Sequence, residues 1–158
     1  PNRKACYDFA NDVLPKIRNK YPEIELHIIG EISKFDKYIL KNKTNVKVFG
    51  QVNNLDKHLN KSICGLANLR ISTGIQTKLL TYMSYGLPSL CSIKVSKNFD
   101  LIKGSKISTY KNNEEMTKII LKFKKNKQFS LSSSKKSLST IKKFKWDNVL
   151  PVFDKFIS

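Results

Sequence analysis

The chain has 158 residues, and 30 lysines and arginines against 12 aspartates and glutamates give it a formal net charge of +18. This length can bury the core of one domain, and a hydrophobic content of 40% is too high for a disordered chain. No apolar run approaches the roughly 18 residues that a membrane-spanning helix needs. The composition therefore predicts one folded, basic domain and excludes a bundle of membrane-spanning helices.

The first segment has the spacing of an amphipathic helix. Ala5, Phe9, Val13, Leu14 and Ile17 recur at intervals that put them on one helical face. We therefore predict a helix that buries this face.

Short apolar runs follow, and helical patterns lie between most of them. Apolar strands that alternate with amphipathic helices are typical of a parallel sheet with helices on both faces. We therefore predict an α/β fold with a Rossmann-like, doubly wound parallel sheet. The predicted strands lie at 24–30, 46–50, 63–69, 89–93 and 106–110.

Three segments in the last third of the chain have patterns that are compatible with helices. The segment 113–123 begins with acidic residues and has Asn113 as a candidate cap. The serine-rich segment 130–139 is predicted to be a polar helix or a loop, and 145–158 a helix that Pro151 must start or kink. The apolar residues of the first of these helices share one face: Met116, Ile119, Ile120 and Phe123.

The reactive residue types show no pattern of a metal or nucleophilic site. His27 lies in an apolar run and is predicted to be packed in the core, whereas His58 is predicted to lie on the surface. Asp8 and Asp12 fall one helical turn apart and are predicted to be solvated, and Trp146 is predicted to anchor the last helix. The three cysteines are far apart and are predicted to be buried free thiols, as in a reducing compartment: Cys6, Cys64 and Cys91.

Basic residues are concentrated near the end of the chain. Between Met116 and Trp146 there are ten lysines and no acid. The simplest interpretation is that these lysines form a solvated helical face. The second interpretation is a surface that contacts an anionic membrane. Nucleic acid is disfavoured, because the chain has no RNP-type aromatics, no zinc finger and no recognisable helix-turn-helix.

The segment between the third predicted strand and the next helix is the best candidate for a ligand site. In doubly wound sheets, ligands bind where the carboxyl ends of the strands lead into helices. Gly74 would let the backbone approach a ligand, Ser72 and Thr73 can cap the helix, and its free amides favour an anion. The same features also suit an ordinary capped helix that Gly86 ends. The other residues that would surround an anion are Arg70, Ile75, Gln76, Thr77 and Lys78.

The same segment, "LRISTGIQTKLLTYMSYGLPSL", resembles the donor-site segment of family 4 glycosyltransferases, the class called glycosyl transferases group 1. That segment typically has Leu-Arg, Gly-Ile-x-x-Lys, a helix and then Gly-x-Pro. Further pieces resemble the C-terminal domain of that family in the right order: "PNRKACYDFANDVLPKI", "ELHIIG", "VKVFGQV" and "FKWDNVL". The resemblance covers nearly the whole chain.

The resemblance implies the C-terminal, donor-binding domain of a GT-B enzyme, in which two Rossmann-like domains face a cleft. Residues 1–158 would be the nucleotide-sugar-binding domain, and the acceptor domain would be absent from this chain. Such enzymes use no cofactor and need no catalytic metal, because backbone amides and basic side chains stabilise the diphosphate leaving group.

Individual roles follow from the same resemblance. Gly30 would leave room near the nucleotide, and Arg70 and Lys78 would supply positive charge. The diphosphate or donor sugar would be held by Gly74, Ile75, Gln76 and Thr77.

The sequence departs from the family pattern in two ways. Thr73 and Thr81 stand where the family often has two glutamates, and a threonine cannot grip the ribose hydroxyls as a carboxylate does. The family's domain also begins with a strand before the Pro1-Asn2 helix, which this chain lacks. We therefore expect a fragment, or a degenerate or split relative, that does not transfer sugar alone.

Two classes of function remain open. The first is a donor-binding domain that passes a sugar, of hexosyltransferase type, from a nucleotide-diphosphate sugar to a glycan or lipid-linked acceptor. It would act in polysaccharide or glycoconjugate assembly in the cytoplasm, with its lysine-rich end against the anionic inner face of the cell membrane. The second is a non-catalytic or degenerate Rossmann-like module that binds phosphate-rich ligands such as nucleotides, nucleic acid or anionic membrane.

Overall fold

A computed structural model describes residues 2–68, 76–100 and 107–142, with the side chains of 98–100 left out. The strands are β1 (Leu26–Ile29), β2 (Val46–Gly50), β3 (Gly65–Ala67), β4 (Ser89–Ser92) and β5 (Ser108–Tyr110). The α-helices are α1 (Asn2–Asp8), α2 (Leu14–Arg18), α3 (Lys34–Lys41), α4 (Asp56–Leu59), α5 (Thr77–Ser84), α6 (Ile93–Asp100), α7 (Asn113–Lys125) and α8 (Lys127–Ile141).

The first predicted helix forms with one irregularity, a π-turn at Phe9–Val13 that joins α1 to α2. Its marker is the bond from the Leu14 N–H to the Phe9 carbonyl five residues back. Pro15 explains the position, because its ring would clash with the carbonyl of Asn11 and it has no N–H to donate. The helical segment therefore takes in one extra residue just before the proline.

All strand pairs among the described residues are parallel, which confirms the predicted fold class. β1 pairs with β2, from Leu26 opposite Val46 to Ile29 opposite Gly50. β3 pairs with β4 from Gly65 opposite Ser89, and β4 pairs in turn with β5. The strands nevertheless form two separate sheets, in the orders β1-β2 and β3-β4-β5.

Helices pack on both faces of the three-stranded sheet, because successive strand residues point to opposite sides. Leu66 and Leu90 join the larger core cluster, which is built around α1, α2 and α7. Their neighbours Ala67 and Cys91 join a second cluster, with α5 and α6. The larger cluster also includes Leu40 and the side chains of β1 and β2 that face it, so both sheets share one core.

The helix α7 begins one residue earlier than its predicted cap implies. Asn112, rather than Asn113, is the cap: its side chain accepts a bond from the Glu115 N–H at 2.9 Å. The predicted apolar face is confirmed, since Met116, Ile120 and Phe123 are buried and Ile119 is partly buried.

The lysine-rich segment has a solvated face as far as Lys142, the last residue that the structure describes. The serine-rich part belongs to α8, and its buried residues are the small polar Ser133, Ser137 and Thr140. Residues 143–158, with Trp146 and the predicted last helix, lie outside the described residues. Every lysine of α7 and α8 is exposed: Lys118, Lys122, Lys124, Lys125, Lys127, Lys135 and Lys136.

The prediction that His27 is packed in the core is wrong. Alternation along β1 turns Leu26 and Ile28 toward the large cluster, and His27 points to the other face, where it is exposed. Its ring lies 5.1 Å from that of Phe49 and 6.0 Å from that of His58. His58, predicted on the surface, is thereby half-buried.

Candidate functional site

A cavity of about 1020 Å³ lies between the two sheets, and its lining follows the whole length of β1 and the segment that leads into β3. Its volume is at the upper end of the range, roughly 300–1,000 Å³, of small-molecule pockets. The part of the cavity near the carboxyl ends of β1 and β3 is called its mouth, and the lining there includes Asn2, Gly30, Asn68 and Lys78. One end of the cavity therefore lies at the edge of the sheet where ligands bind in this class of fold.

Gly30 ends β1 with a backbone conformation that suits glycine. Its φ of +119° is one that other residues rarely adopt, and its N–H donates to the Gly50 carbonyl at 2.7 Å. A Cβ added there would meet nothing within 4 Å. Open space therefore adjoins Gly30, although the turn itself also requires a glycine.

The helix α5 begins at Thr77, with Gln76 as its cap residue. The side chain of Gln76 makes no capping bond, so it does not satisfy the first amides of the helix. The predicted cap residues Ser72 and Thr73 lie outside the described residues. Gly86, with a φ of +64°, follows the last turn and confirms the predicted stop.

Lys78 lies at the cavity wall, one residue into α5. It is half-buried, and its Nζ donates to the Asn2 Oδ1 at 2.7 Å, which joins α5 to the start of α1. Burial lowers the pKa of the Lys78 ammonium. An anion in the cavity would compensate this burial, so Lys78 is suited to contact one.

Asn68 follows β3 and holds the same end of α1. Its Nδ2 donates to the Ala5 carbonyl at 3.2 Å, and its Oδ1 accepts from the Tyr110 hydroxyl at 2.7 Å. α1 is therefore connected to the ends of both β3 and β5.

A network around Asp36 holds α1 on the other side of the mouth. The Asp36 Oδ1 accepts from Arg3 Nε at 2.7 Å and from the Tyr7 hydroxyl at 2.9 Å, while Oδ2 accepts from Ser33 Oγ at 2.7 Å. The Asp36 N–H in turn donates to Ser33 Oγ. Sequence reasoning missed this network, although Ser33-x-x-Asp36 has the spacing of a capping box.

The Asp36 network predicts an acid-sensitive contribution to stability. Hydrogen bonds from Ser33, Tyr7 and Arg3 hold the pKa of the Asp36 carboxyl below its usual range. This contribution is complete above the unfolded pKa of about 3.9 and is lost as the pH falls through the lower folded pKa. We expect Asp36→Asn to lose this contribution at neutral pH. Its free energy of unfolding should therefore fall less steeply with decreasing pH than that of the parent, as measured by urea unfolding between pH 2.5 and 6.

The matched control for that measurement is Glu31→Gln, which neutralises an exposed carboxylate near the same mouth. This variant should have the same dependence of unfolding free energy on acid pH as the parent. If the free energy of unfolding of Asp36→Asn fell as steeply at low pH as that of the parent, the acid-sensitive contribution could not be assigned to Asp36.

Thr81 was predicted to be a donor-site residue, and its hydroxyl is used within the helix. Its Oγ1 donates to the Thr77 carbonyl at 3.2 Å. The structure therefore brings Gly30 and Lys78 to one cavity and places Gln76, Thr77 and Thr81 on the adjoining helix. The remaining predicted site residues lie outside the described residues: Arg70, Thr73, Gly74 and Ile75.

The cysteines are free thiols with different burial. Cys91 is buried as predicted, whereas Cys6 and Cys64 are half-buried at the cavity wall. Burial raises the pKa of the Cys6 thiol, and it raises that of Cys64 to about 12. Thiols with raised pKa values are poor nucleophiles and metal ligands at neutral pH.

No group of three or more His, Cys, Asp or Glu side chains in the described ranges is placed to hold a metal ion. Nor does any helix within these ranges combine the length and the apolar character needed to cross a bilayer.

The chain matches the crystal structure of TarM with a TM-score of 0.70 at 18% identity, over 88% of this chain and 30% of the TarM chain. It thus has a Rossmann-like fold of the GT-B type and spans less than a third of that chain. Residues 1–126 match the family described as "Glycosyl transferases group 1", and the chain belongs to this family. A search of curated proteins found no match.

Proposed function

We propose that residues 1–158 form the nucleotide-sugar-binding domain of a glycosyltransferase. The donor would be a nucleotide-diphosphate sugar, and a hexose-type sugar would pass to a glycan or lipid-linked acceptor held by another domain. The observation that carries the proposal is that Lys78, the second residue of α5, lines the same cavity as Gly30. Family membership supplies the class of reaction.

The chemistry of this site suits a diphosphate leaving group. In the transfer, the bond from the anomeric carbon to a diphosphate oxygen breaks, and a bond to the acceptor oxygen forms as the acceptor hydroxyl loses its proton. Negative charge then grows on the diphosphate. Lys78, the amides at the start of α5 and, by resemblance, Arg70 would stabilise this charge without a metal or cofactor.

Membrane contact and location are the remaining parts of the proposal. The exposed lysines of α7 and α8 would approach anionic lipid on the cytoplasmic face of a membrane, where lipid-linked acceptors of polysaccharide assembly would be met. Each basic residue near such a surface contributes about 1 kcal/mol.

We expect Lys78→Ala to weaken binding of the preferred nucleoside diphosphate by roughly 10- to 150-fold. This corresponds to about 1.5–3 kcal/mol for the loss of a hydrogen bond from a charged group. Isothermal titration calorimetry of the purified chain would measure it. The matched control is Lys135→Ala, which removes an equal charge from the exposed face of α8 and should bind like the parent.

A panel of UDP, GDP, ADP and their sugar conjugates, at low and high salt, tests the proposal as a whole. Selective binding of one base that survives high salt would support a donor site. Unselective binding that disappears at high salt, with equal losses in Lys78→Ala and Lys135→Ala, would contradict it. That result would favour the alternative, a degenerate module that attracts phosphate-rich ligands through its net charge of +18.

A further inference from the structure

The outer face of α3 presents two aromatic rings to solvent. Phe35 is 64% exposed and Tyr38 is 71% exposed, the largest fractions for any large apolar side chain in the part of the chain that the structure describes. The two residues lie three positions apart, so their side chains are neighbours on the helix surface. Single exposed apolar residues are ordinary on protein surfaces, whereas adjacent aromatic rings form a patch that favours a binding partner.

The inner face of α3 holds the helix in this orientation. Leu40 is fully buried in the larger core cluster, and the Asp36 carboxylate accepts bonds from Arg3 and Tyr7 of α1. At about 100° per residue, Tyr38 lies almost opposite Asp36. A rotation of α3 that covered the ring of Tyr38 would therefore expose Leu40 and break the Asp36 network.

Positive charge surrounds the two rings. Lys34 precedes Tyr38 by one helical turn and Lys41 follows it by one turn, so both are its neighbours on the helix surface. These lysines and Lys37 are exposed. The acidic residue of α3 is Asp36, which is buried, so the charge on the exposed face of this helix is entirely positive.

From these observations we propose that the outer face of α3 docks on an anionic lipid bilayer. The aromatic rings would enter the boundary between headgroups and acyl chains, and the lysine ammonium groups would contact lipid phosphates. This basic-aromatic face is separate in sequence from the lysines of α7 and α8, which would attract the same bilayer through charge. It is formed by Lys34, Phe35, Lys37, Tyr38 and Lys41.

The composition of the basic-aromatic face favours a bilayer over a protein partner. Protein interfaces are enriched in aromatic residues but depleted in lysine, whose ammonium is strongly hydrated and whose stem is flexible. At a bilayer surface the lysine stem lies along apolar groups while the ammonium stays in water. The face therefore matches a partner that is apolar inside and anionic at its surface.

The shape of the basic-aromatic face disfavours single-stranded nucleic acid, the other phosphate-rich partner. Such strands are bound in positively charged grooves, with their bases stacked on aromatic rings. Phe35 and Tyr38 instead stand on the convex outer side of a helix whose inner side is buried. A convex helical surface can approach a flat bilayer along its whole length.

Docking through α3 would hold the proposed nucleotide site close to the bilayer. Asp36, in the first turn of α3, and Ser33, its cap, line the same cavity as Gly30. A lipid-linked acceptor would then be met beside the cavity mouth. This consequence rests on the proposed function, whereas the docking itself does not.

Vesicle binding by the complete chain tests the proposal. The vesicles contain phosphatidylcholine and phosphatidylserine in equal parts, and binding is measured by co-sedimentation at low and high salt. We expect the variant Phe35→Ser/Tyr38→Ser to bind at least about tenfold more weakly than the parent, because its two aromatic rings are no longer transferred from water. The difference should persist at high salt, which screens the lysines but not the burial of apolar rings.

The matched control is Leu131→Ser, which removes an apolar side chain, 51% exposed, from α8. This variant should bind vesicles like the parent, and urea unfolding of both variants should match that of the parent because the replaced side chains are exposed. An equal loss of binding in the two variants would overturn the docking surface. Absence of vesicle binding by the parent would overturn the bilayer as the partner.

A fluorescent reporter gives a second readout that does not depend on a loss of binding. Phe35→Trp and, as its control, Leu131→Trp are each combined with Trp146→Phe, so that each chain has one tryptophan. With phosphatidylcholine brominated on its acyl chains, we expect quenching at position 35 and none at position 131. Quenching at position 131 alone, or at neither position, would overturn the proposal.

Two further measurements separate this proposal from its alternatives. Quenching of the Phe35→Trp reporter by single-stranded oligonucleotides, and not by vesicles, would overturn the bilayer in favour of nucleic acid. Binding of nucleoside diphosphates by the same chains is measured without lipid. A failure of membrane docking would therefore leave the proposed donor site standing, and a failure of nucleotide binding would leave the docking surface standing.

Discussion

Gly65→Ala will destabilise the fold by about 3 kcal/mol, the upper part of the usual range for overpacking. Gly65 begins β3, and a Cβ added there would overlap the Cβ, Cγ and Cδ2 atoms of Tyr82 in α5. The overlap is with the root of a partly buried ring and not with a flexible end, so the helix itself would have to move. Urea unfolding monitored by circular dichroism would measure the loss.

A double-mutant cycle separates this clash from other effects. In a Tyr82→Ala background the same glycine substitution should cost much less, because the two ring atoms with the closest approach are gone and only the Cβ at 2.8 Å remains. In a Tyr82→Phe background its cost should be as large as in the parent, because only the hydroxyl is removed. Parent-like stability of Gly65→Ala would show that α5 does not pack so closely on β3.

Leu79→Ala is expected to cost about 2–5 kcal/mol, the range for removing a buried leucine side chain. Leu79 is fully buried in the second core cluster, where it holds α5 against the sheet. A domain of this size is stable by roughly 5–15 kcal/mol, so the loss is a large part of the total. Differential scanning calorimetry or urea unfolding would record it.

Leu131→Ala is the matched control, since it is the same substitution in a helix at a side chain that is 51% exposed. It should change stability by less than about 0.5 kcal/mol. Equal effects of the two substitutions would mean that α5 is not anchored through Leu79. Because Lys78 precedes Leu79, loosening of α5 should also disturb the proposed nucleotide contact.

Much of the fold could be predicted because its signals are local. The run at 46–50 became β2 without change, and the spacing from Met116 to Phe123 gave the buried face of α7. His27 was misplaced because a run such as "IELHIIG" has the same appearance whether one face of the strand is covered or both. Only the neighbouring elements, which are distant in sequence, decide the exposure of its second face.

The candidate site was only partly predictable for a related reason. Gly30 and Lys78 carry family signatures in their own segments, so sequence reasoning could find them. The other residues at the cavity mouth are held there by partners more than 30 positions away in the sequence. They are Asn2, Asp36 and Asn68. No local pattern marks such contacts, apart from the capping-box spacing of Ser33 and Asp36.

The π-turn at Phe9–Val13 gives the first helical segment a constraint on length as well as on composition. One inserted residue advances an α-helix by about 100°, so the turn sets the angular phase of α1 relative to α2. The contacts of Asn2 with Lys78 and of Arg3 with Asp36 depend on that phase. The side chain of the exposed Asn11 can therefore change without consequence for the helix. Deletion of the residue would rotate α1 away from the cavity while α2 kept its place.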